Sequence, residues 1–181
     1  AGLCGLRAQE LADSCQAPNV LDRLGRKGQG LETLLRDGHF DIALLMAGTN
    51  DLPWQRSASQ VFEDLRRLHS VCHAAGVATL ALAVPPLCGP AAAPEIMAKR
   101  SSLNYLLEHW ASSPSGVGVS FLDLGPILLP LKGFAGPGRS PVPCFEPDGV
   151  HFSHAGSRAV GFAVAHVVRA FLENAARPWQ F

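Results

Sequence analysis

Three short apolar runs constrain this chain more than anything else in it: "DIALLMAG" at 41–48, "VATLALAV" at 77–84 and "VSFLDL" at 119–124. Each is brief and nearly unbroken, as expected for a strand buried on both faces rather than on one. Between the first two, residues 58–75 carry Val61, Phe62, Leu65, Leu68, Val71 and Cys72 at helical spacing, with Ser57 placed as an N-cap. Gly76 stops that helix, and Pro85 with Pro86 ends the second strand. Residues 94–112 and 154–175 read as further helices, and 7–16 and 29–36 as shorter ones, the latter stopped by Gly38. Strands separated by helices cannot pair as hairpins, so they lie parallel. The expected fold is therefore α/β, a three-layer, flavodoxin-like parallel sheet with helices on both faces. The run "GFAGPGRSPVPCFEP", 133–147, holds too much Gly and Pro for either element and reads as a surface loop.

No internal repeat or linker interrupts the pattern, so residues 1–181 are expected to form a single domain. Fifteen basic residues balance fifteen acidic ones, which leaves no electrostatic footprint for a nucleic-acid partner. No apolar run reaches the roughly 20 residues of a spanning helix, so stable membrane insertion is not expected. The five cysteines, Cys4, Cys15, Cys72, Cys88 and Cys144, contain no CxxC pair and read as buried free thiols, which tilts the expected compartment slightly toward the reducing cytoplasm. The chain opens on Ala1 with "AGLCGLRAQEL", already a turn running into a helix, and has no basic-then-apolar leader. Its beginning is expected to be missing.

In parallel sheets, ligands bind beyond the carboxyl ends of the strands. The loop after the first strand is "GTNDLPW", where Gly48 permits a sharp turn and Thr49, Asn50 and Asp51 can hold the loop through side-chain hydrogen bonds. An Asn fixed there can aim its amide at an oxygen gaining negative charge. Taken alone, the loop serves equally well as a polar turn capping the next helix. Far downstream lies "PDGVHFSHAGS", which sets Asp148 three residues before His151 on a glycine-containing turn. A carboxylate so placed can accept the Nδ1 proton of the imidazole and leave Nε2 free as a base. Taken alone, it too has a plain alternative, a carboxylate at a helix start beside a surface histidine.

The two motifs together, "LLMAGTNDL" and "PDGVHFSHAGSRAVG", resemble the SGNH hydrolases, the GDSL-type lipase/esterase family, and "GLCGLRAQEL" resembles that family's second sequence block. The resemblance covers nearly the whole chain. It implies that His151 is the general base and Asp148 its orienting partner. It further implies an oxyanion hole made of the Gly5 backbone N–H and the Asn50 side-chain amide, with Gly2 an outside candidate for the Gly5 role. The implied reaction is hydrolysis of a carboxylic ester, the substrate being a small-molecule ester of acyl, lipid or acetylated-sugar type, with no metal or organic cofactor.

One departure matters. The family's nucleophilic serine belongs to a Gly-Asp-Ser-Leu-like block ahead of the glycine block, and no Gly-Asp-Ser occurs in these 181 residues. Ser14, Ser57, Ser59, Ser101, the cluster at 112–115, Ser153 and Ser157 all lack that context. The nucleophile is expected to lie outside this chain, which alone is then inactive, and the missing first strand belongs beside "DIALLMA". A non-catalytic binding domain derived from the same family is the alternative. His69 and His73, at i and i+4, lack a third metal ligand. Trp54 could wall an acyl pocket or simply pack.

Overall fold

The computed structural model describes residues 2–129 and 144–175. The chain divides into two compact units, Ala1–Val84 with Ala93–Leu122, and Pro85–Ala92 with Asp123–Phe181.

In the first unit, β3 (Ile42–Leu45), β4 (Ala78–Leu82) and β5 (Val119–Leu122) form a parallel sheet in the order β3-β4-β5. Ile42 stands opposite Ala78, and Thr79 opposite Val119. The three apolar runs are the three strands, as the alternation required. Burial differs among them. β4, central and paired on both sides, buries every residue from Thr79 to Leu82. β3 contradicts the expectation of a strand covered on both faces: Leu44 is 44% exposed, Met46 just beyond it is 47% exposed, and among the described residues the strand pairs only with β4. Continuous hydrophobicity could not tell a central strand from an edge one, because both carry the same residues.

The helices run α1 (Ala8–Asp13), α2 (Leu31–Asp37), α3 (Ala58–Ala74) and α4 (Pro94–Ala111). Ser57 caps α3 as its sequence predicts: its hydroxyl accepts the Gln60 N–H at 3.2 Å, and the Gln60 side chain accepts the Ser57 N–H at 2.9 Å. α3 turns Val61, Leu65, Leu68 and Cys72 into the interior, where Cys72 meets Leu35 of α2 and Val77 before β4. α4 contributes the buried Leu103, Leu107 and Trp110. Val84, past the end of β4, is held by a side chain instead of a strand: Asn104 accepts its N–H at 2.8 Å and donates to its carbonyl at 3.0 Å. An antiparallel ribbon of β1 (Val20–Leu21) and β2 (Lys27–Gly28) completes the unit. These pairs of residues are too short to leave an alternating pattern, and sequence reading missed them.

The second unit holds α5 (Gly125–Leu128) and the long α6 (His154–Ala175). Leu124, Leu128 and Phe145 are among its buried residues, with Pro86 and Leu87 from the Pro85–Ala92 segment. Phe145 forms an isolated antiparallel bridge with Phe152, their rings 5.8 Å apart. Of the loop expected at 133–147, residues 133–143 lie outside the described residues, and 144–147 are irregular except at that bridge.

Of the five cysteines, all free, Cys15 and Cys72 are buried as expected, whereas Cys4, Cys88 and Cys144 are partly exposed. Among the described residues no helix is long and apolar enough to cross a membrane.

Candidate active site

Two clusters hold the residues singled out by sequence, one in each unit. In the second unit, residues 146–149 form a tight turn closed by the Gly149 N–H donating to the Glu146 carbonyl at 2.9 Å. Gly149 has φ +70°, and a Cβ there would lie 2.0 Å from the Cys88 carbonyl oxygen, whose own N–H donates to Gly149 O at 2.9 Å. No other residue type fits that position. The turn aims the Asp148 carboxylate back at its own chain. Oδ1 accepts the N–H groups of Val150 (2.8 Å) and His151 (3.0 Å), and Oδ2 lies 2.7 Å from Nδ1 of the His151 ring. The hydrogen bond to the His151 side chain, reinforced by those two backbone N–H groups, holds the Asp148 carboxyl down at about 2. It is therefore an acceptor at neutral pH, which fixes the proton of the neutral imidazole on Nδ1 and leaves Nε2 as the basic nitrogen. The His151 side chain is 72% exposed, so Nε2 is open to an incoming group.

In the first unit, the chain leaves β3 through Gly48, in the left-handed region at φ +107°, into a 3-10 turn over Thr49–Asp51. Asn50 sits on that turn, exposed, with Nδ2 donating to the Leu6 carbonyl at 3.0 Å. One amide hydrogen is thus committed to the backbone. The second has no acceptor among the described residues. Gly5 lies one residue before Leu6, so the structure brings Gly5 and Asn50, 45 positions apart, to a single local cluster. Gly5 has φ +75°, and its N–H has no acceptor among the described residues. Cys4 beside it is gripped at both ends: Asp22 Oδ2 accepts its N–H at 3.2 Å, and its carbonyl accepts the Arg23 N–H at 3.0 Å. Gly2, the outside candidate, is exposed and has no atom within 4 Å of a Cβ built upon it. Nothing there fixes its N–H as Gly5 is fixed.

Sequence reading missed two members of this cluster. Asp51 was expected to brace its own loop, yet its carboxylate reaches the Ala8 N–H at 2.9 Å, 43 residues away. Asp22 is buried in the β1–β2 connection and also binds the N–H groups of Leu24 (2.8 Å) and Arg26 (2.9 Å). Its local signal, an Asp three residues before Gly25, marks a turn and says nothing of Cys4.

Trp54 neither packs fully nor lies free. The residue is 54% exposed, the Arg7 guanidinium sits 4.5 Å over its ring, and Lys99 donates to its backbone carbonyl. His69 and His73 share one buried hydroxyl: Thr79 Oγ1 lies 2.8 Å from His69 Nδ1 and 3.1 Å from His73 Nε2. Burial, helped by His73, pushes His69 down to about 4. These are structural hydrogen bonds under the sheet. Among the described residues no three His, Cys, Asp or Glu side chains come together as metal ligands.

The fold is shared with solved SGNH hydrolases. A crystal structure of an acetyl esterase carrying a serine-to-alanine substitution, with acetate ion, superposes with a TM-score of 0.64 at 15% identity, covering 95% of this chain and 70% of that one. A carbohydrate esterase family 3 structure from Talaromyces cellulolyticus gives 0.63 at 16% identity, covering 94% and 70%. A GDSL-like lipase from Bacteroides thetaiotaomicron gives 0.56 at 18% identity, covering 72% and 62%. Residues 2–159 match the model of the GDSL-like lipase/acylhydrolase family, and the chain belongs to that family. No curated protein sequence matches it.

Proposed function

We propose that residues 1–181 form a single esterase domain that hydrolyses a carboxylic ester by nucleophilic catalysis, with His151 as general base. The observation that carries this is the 2.7 Å hydrogen bond from His151 Nδ1 to a carboxylate three residues away, on a ring whose other nitrogen faces outward. Membership of a lipase/acylhydrolase family supports the ester as substrate.

The nucleophile in this reading is a serine hydroxyl supplied from outside these residues, because none of the internal serines stands in a Gly-Asp-Ser context. As its oxygen bonds to the acyl carbon, its proton passes to His151 Nε2. The carbonyl oxygen becomes an oxyanion that accepts from the Gly5 N–H and the Asn50 amide hydrogen not spent on Leu6. The tetrahedral intermediate collapses, and His151 returns the proton to the departing alcohol. Water then attacks the acyl-serine through the same steps, giving the carboxylic acid and the free serine. Asp148 stays ionised throughout and stabilises the transient imidazolium.

A non-catalytic binding domain is the second reading, favoured by the absence of a Gly-Asp-Ser triplet in this sequence. Turnover of a short-chain aryl ester by the full-length protein separates the two. His151→Ala is expected to lower kcat by about 100-fold or more; equal turnover by both proteins refutes the mechanism. Covalent labelling of the 181-residue chain at an internal serine by an organophosphonate would relocate the nucleophile.

A further inference from the structure

Asp51 is the one buried side chain of the Thr49–Asp51 turn, fully enclosed at 0% exposure. A carboxylate in such a place needs its lone pairs used, yet Oδ1 has no hydrogen-bond partner among the described residues, and its nearest cation, Arg56 Nη1, stands 3.9 Å away. Only Oδ2 is engaged, at 2.9 Å from the Ala8 N–H. That one bond has a telling partner. The adjacent residue, Asn50, holds the Leu6 carbonyl at 3.0 Å, so two consecutive side chains of the 3-10 turn grasp alternate backbone groups of the Leu6–Ala8 segment. Upstream, Asp22 and Arg23 hold Cys4 by its N–H and its carbonyl. Gly5 is thereby suspended between anchored neighbours on both sides. A Cβ at Gly5 would sit 2.6 Å from Arg23 Cγ, so the segment has no room to shift toward the ribbon.

Resting on the esterase reading above, we infer that Asp51 is a positioning residue: its bond to Ala8 fixes the Gly5 N–H relative to the Asn50 carboxamide, so that two donors 45 residues apart serve one oxyanion. Without that bond, the Asn50–Leu6 contact would have to hold the segment alone. Sharing the anchorage of Leu6–Ala8 between neighbouring residues means that the Asn50 amide does not carry it unaided while its other hydrogen faces substrate. The task requires an acceptor at Oδ2, not a negative charge.

The test uses the full-length protein with a short-chain aryl ester and three variants, Asp51→Leu, Asp51→Asn and Asn50→Ala, alongside amide hydrogen exchange at Ala8. Asp51→Leu is expected to speed exchange at Ala8 and to lower kcat by about 10- to 100-fold, the scale on which a displacement of about 1 Å acts. KM should stay within about twofold, because the lost interaction belongs to the transition state. Asp51→Asn retains the acceptor and should recover both the Ala8 protection and most of the lost rate. A folded Asp51→Leu protein with unchanged kcat overturns the inference. So does an Asp51→Asn protein as slow as Asp51→Leu, or one that fails to protect Ala8, and this holds even if the leucine variant does not fold. Asn50→Ala reports on the underlying reading: unchanged kcat there sinks the oxyanion assignment itself, while exchange at Ala8 still registers whether Asp51 holds the segment.

Discussion

Two aspartates, each beside a proposed site residue, have their acidities shifted in opposite directions. Asp148 is half-exposed, bonded within its own turn to groups two and three residues away, and its carboxyl is held at about 2 by the His151 side chain and two backbone N–H groups. Asp51 is enclosed, bonded across 43 residues, and its carboxyl is pushed above the ordinary range by burial, against the pull of the Ala8 N–H and Arg56. The difference teaches that the same residue type serves two purposes according to solvent. At the surface, ionisation is cheap and the charge can steer an imidazole. In the interior, ionisation is costly, and the group is useful chiefly for the direction of its lone pairs.

The comparison can be broken by substitution. Gly5→Ala carries the largest expected effect, because a Cβ would meet Arg23 and the residue would need φ +75°. Its kcat in the full-length protein should fall about 100-fold or more through displacement of one oxyanion donor, and an unchanged rate would detach Gly5 from the site. Asp148→Asn should sharpen the contrast differently, lowering kcat with only a small fall in melting temperature, since both partners are exposed and an Asn oxygen can still accept the Val150 and His151 N–H groups; a large fall would mean that the turn is structural.

The smallest effects lie in pH. Asp148, with its folded pKa depressed to about 2, adds stability that is complete above its ordinary 3.8 and is lost as pH falls toward about 2. Asp51, raised in the fold and facing Arg56, Arg7 and Asp64, has the reverse sign: its ionised form weakens the fold at neutral pH, and that cost is relieved as pH falls through its raised value. Side-chain carboxyl chemical shifts followed by NMR would place the two titrations in opposite directions from 3.8. Coincident titrations would erase the distinction.

How much of this was legible beforehand follows the range of the interactions. The Asp148–His151 pair, the Ser57–Gln60 cap and the stop at Gly76 are contacts made within a few residues, and the chain spells them out. Sequence also marked Asn50, by its place on a polar turn beyond a strand end, and Gly5, the latter only through resemblance to a family; nothing local in "AGLCGLRAQEL" announces that Leu6 will receive the Asn50 amide. Asp51 was misread as a brace for its own loop, because a short polar side chain in a turn ordinarily bonds its neighbours. The exposure of Leu44 and Met46 went unread for a related reason, since hydrophobicity records what a strand can tolerate and not what covers its faces.

By itself, then, the sequence determined the α/β alternation, the carboxylate-steered histidine and the glycine turns, all consequences of backbone preferences and of groups within reach along the chain. The tertiary structure alone decided that Asn50 and Asp51 would close upon Leu6 and Ala8, that Asp22 would hold Cys4, and which of two similar carboxyls would be kept from water. Those outcomes depend on loops closed over tens of residues, where the gain comes from the packing of whole elements and leaves no mark on any single stretch of sequence.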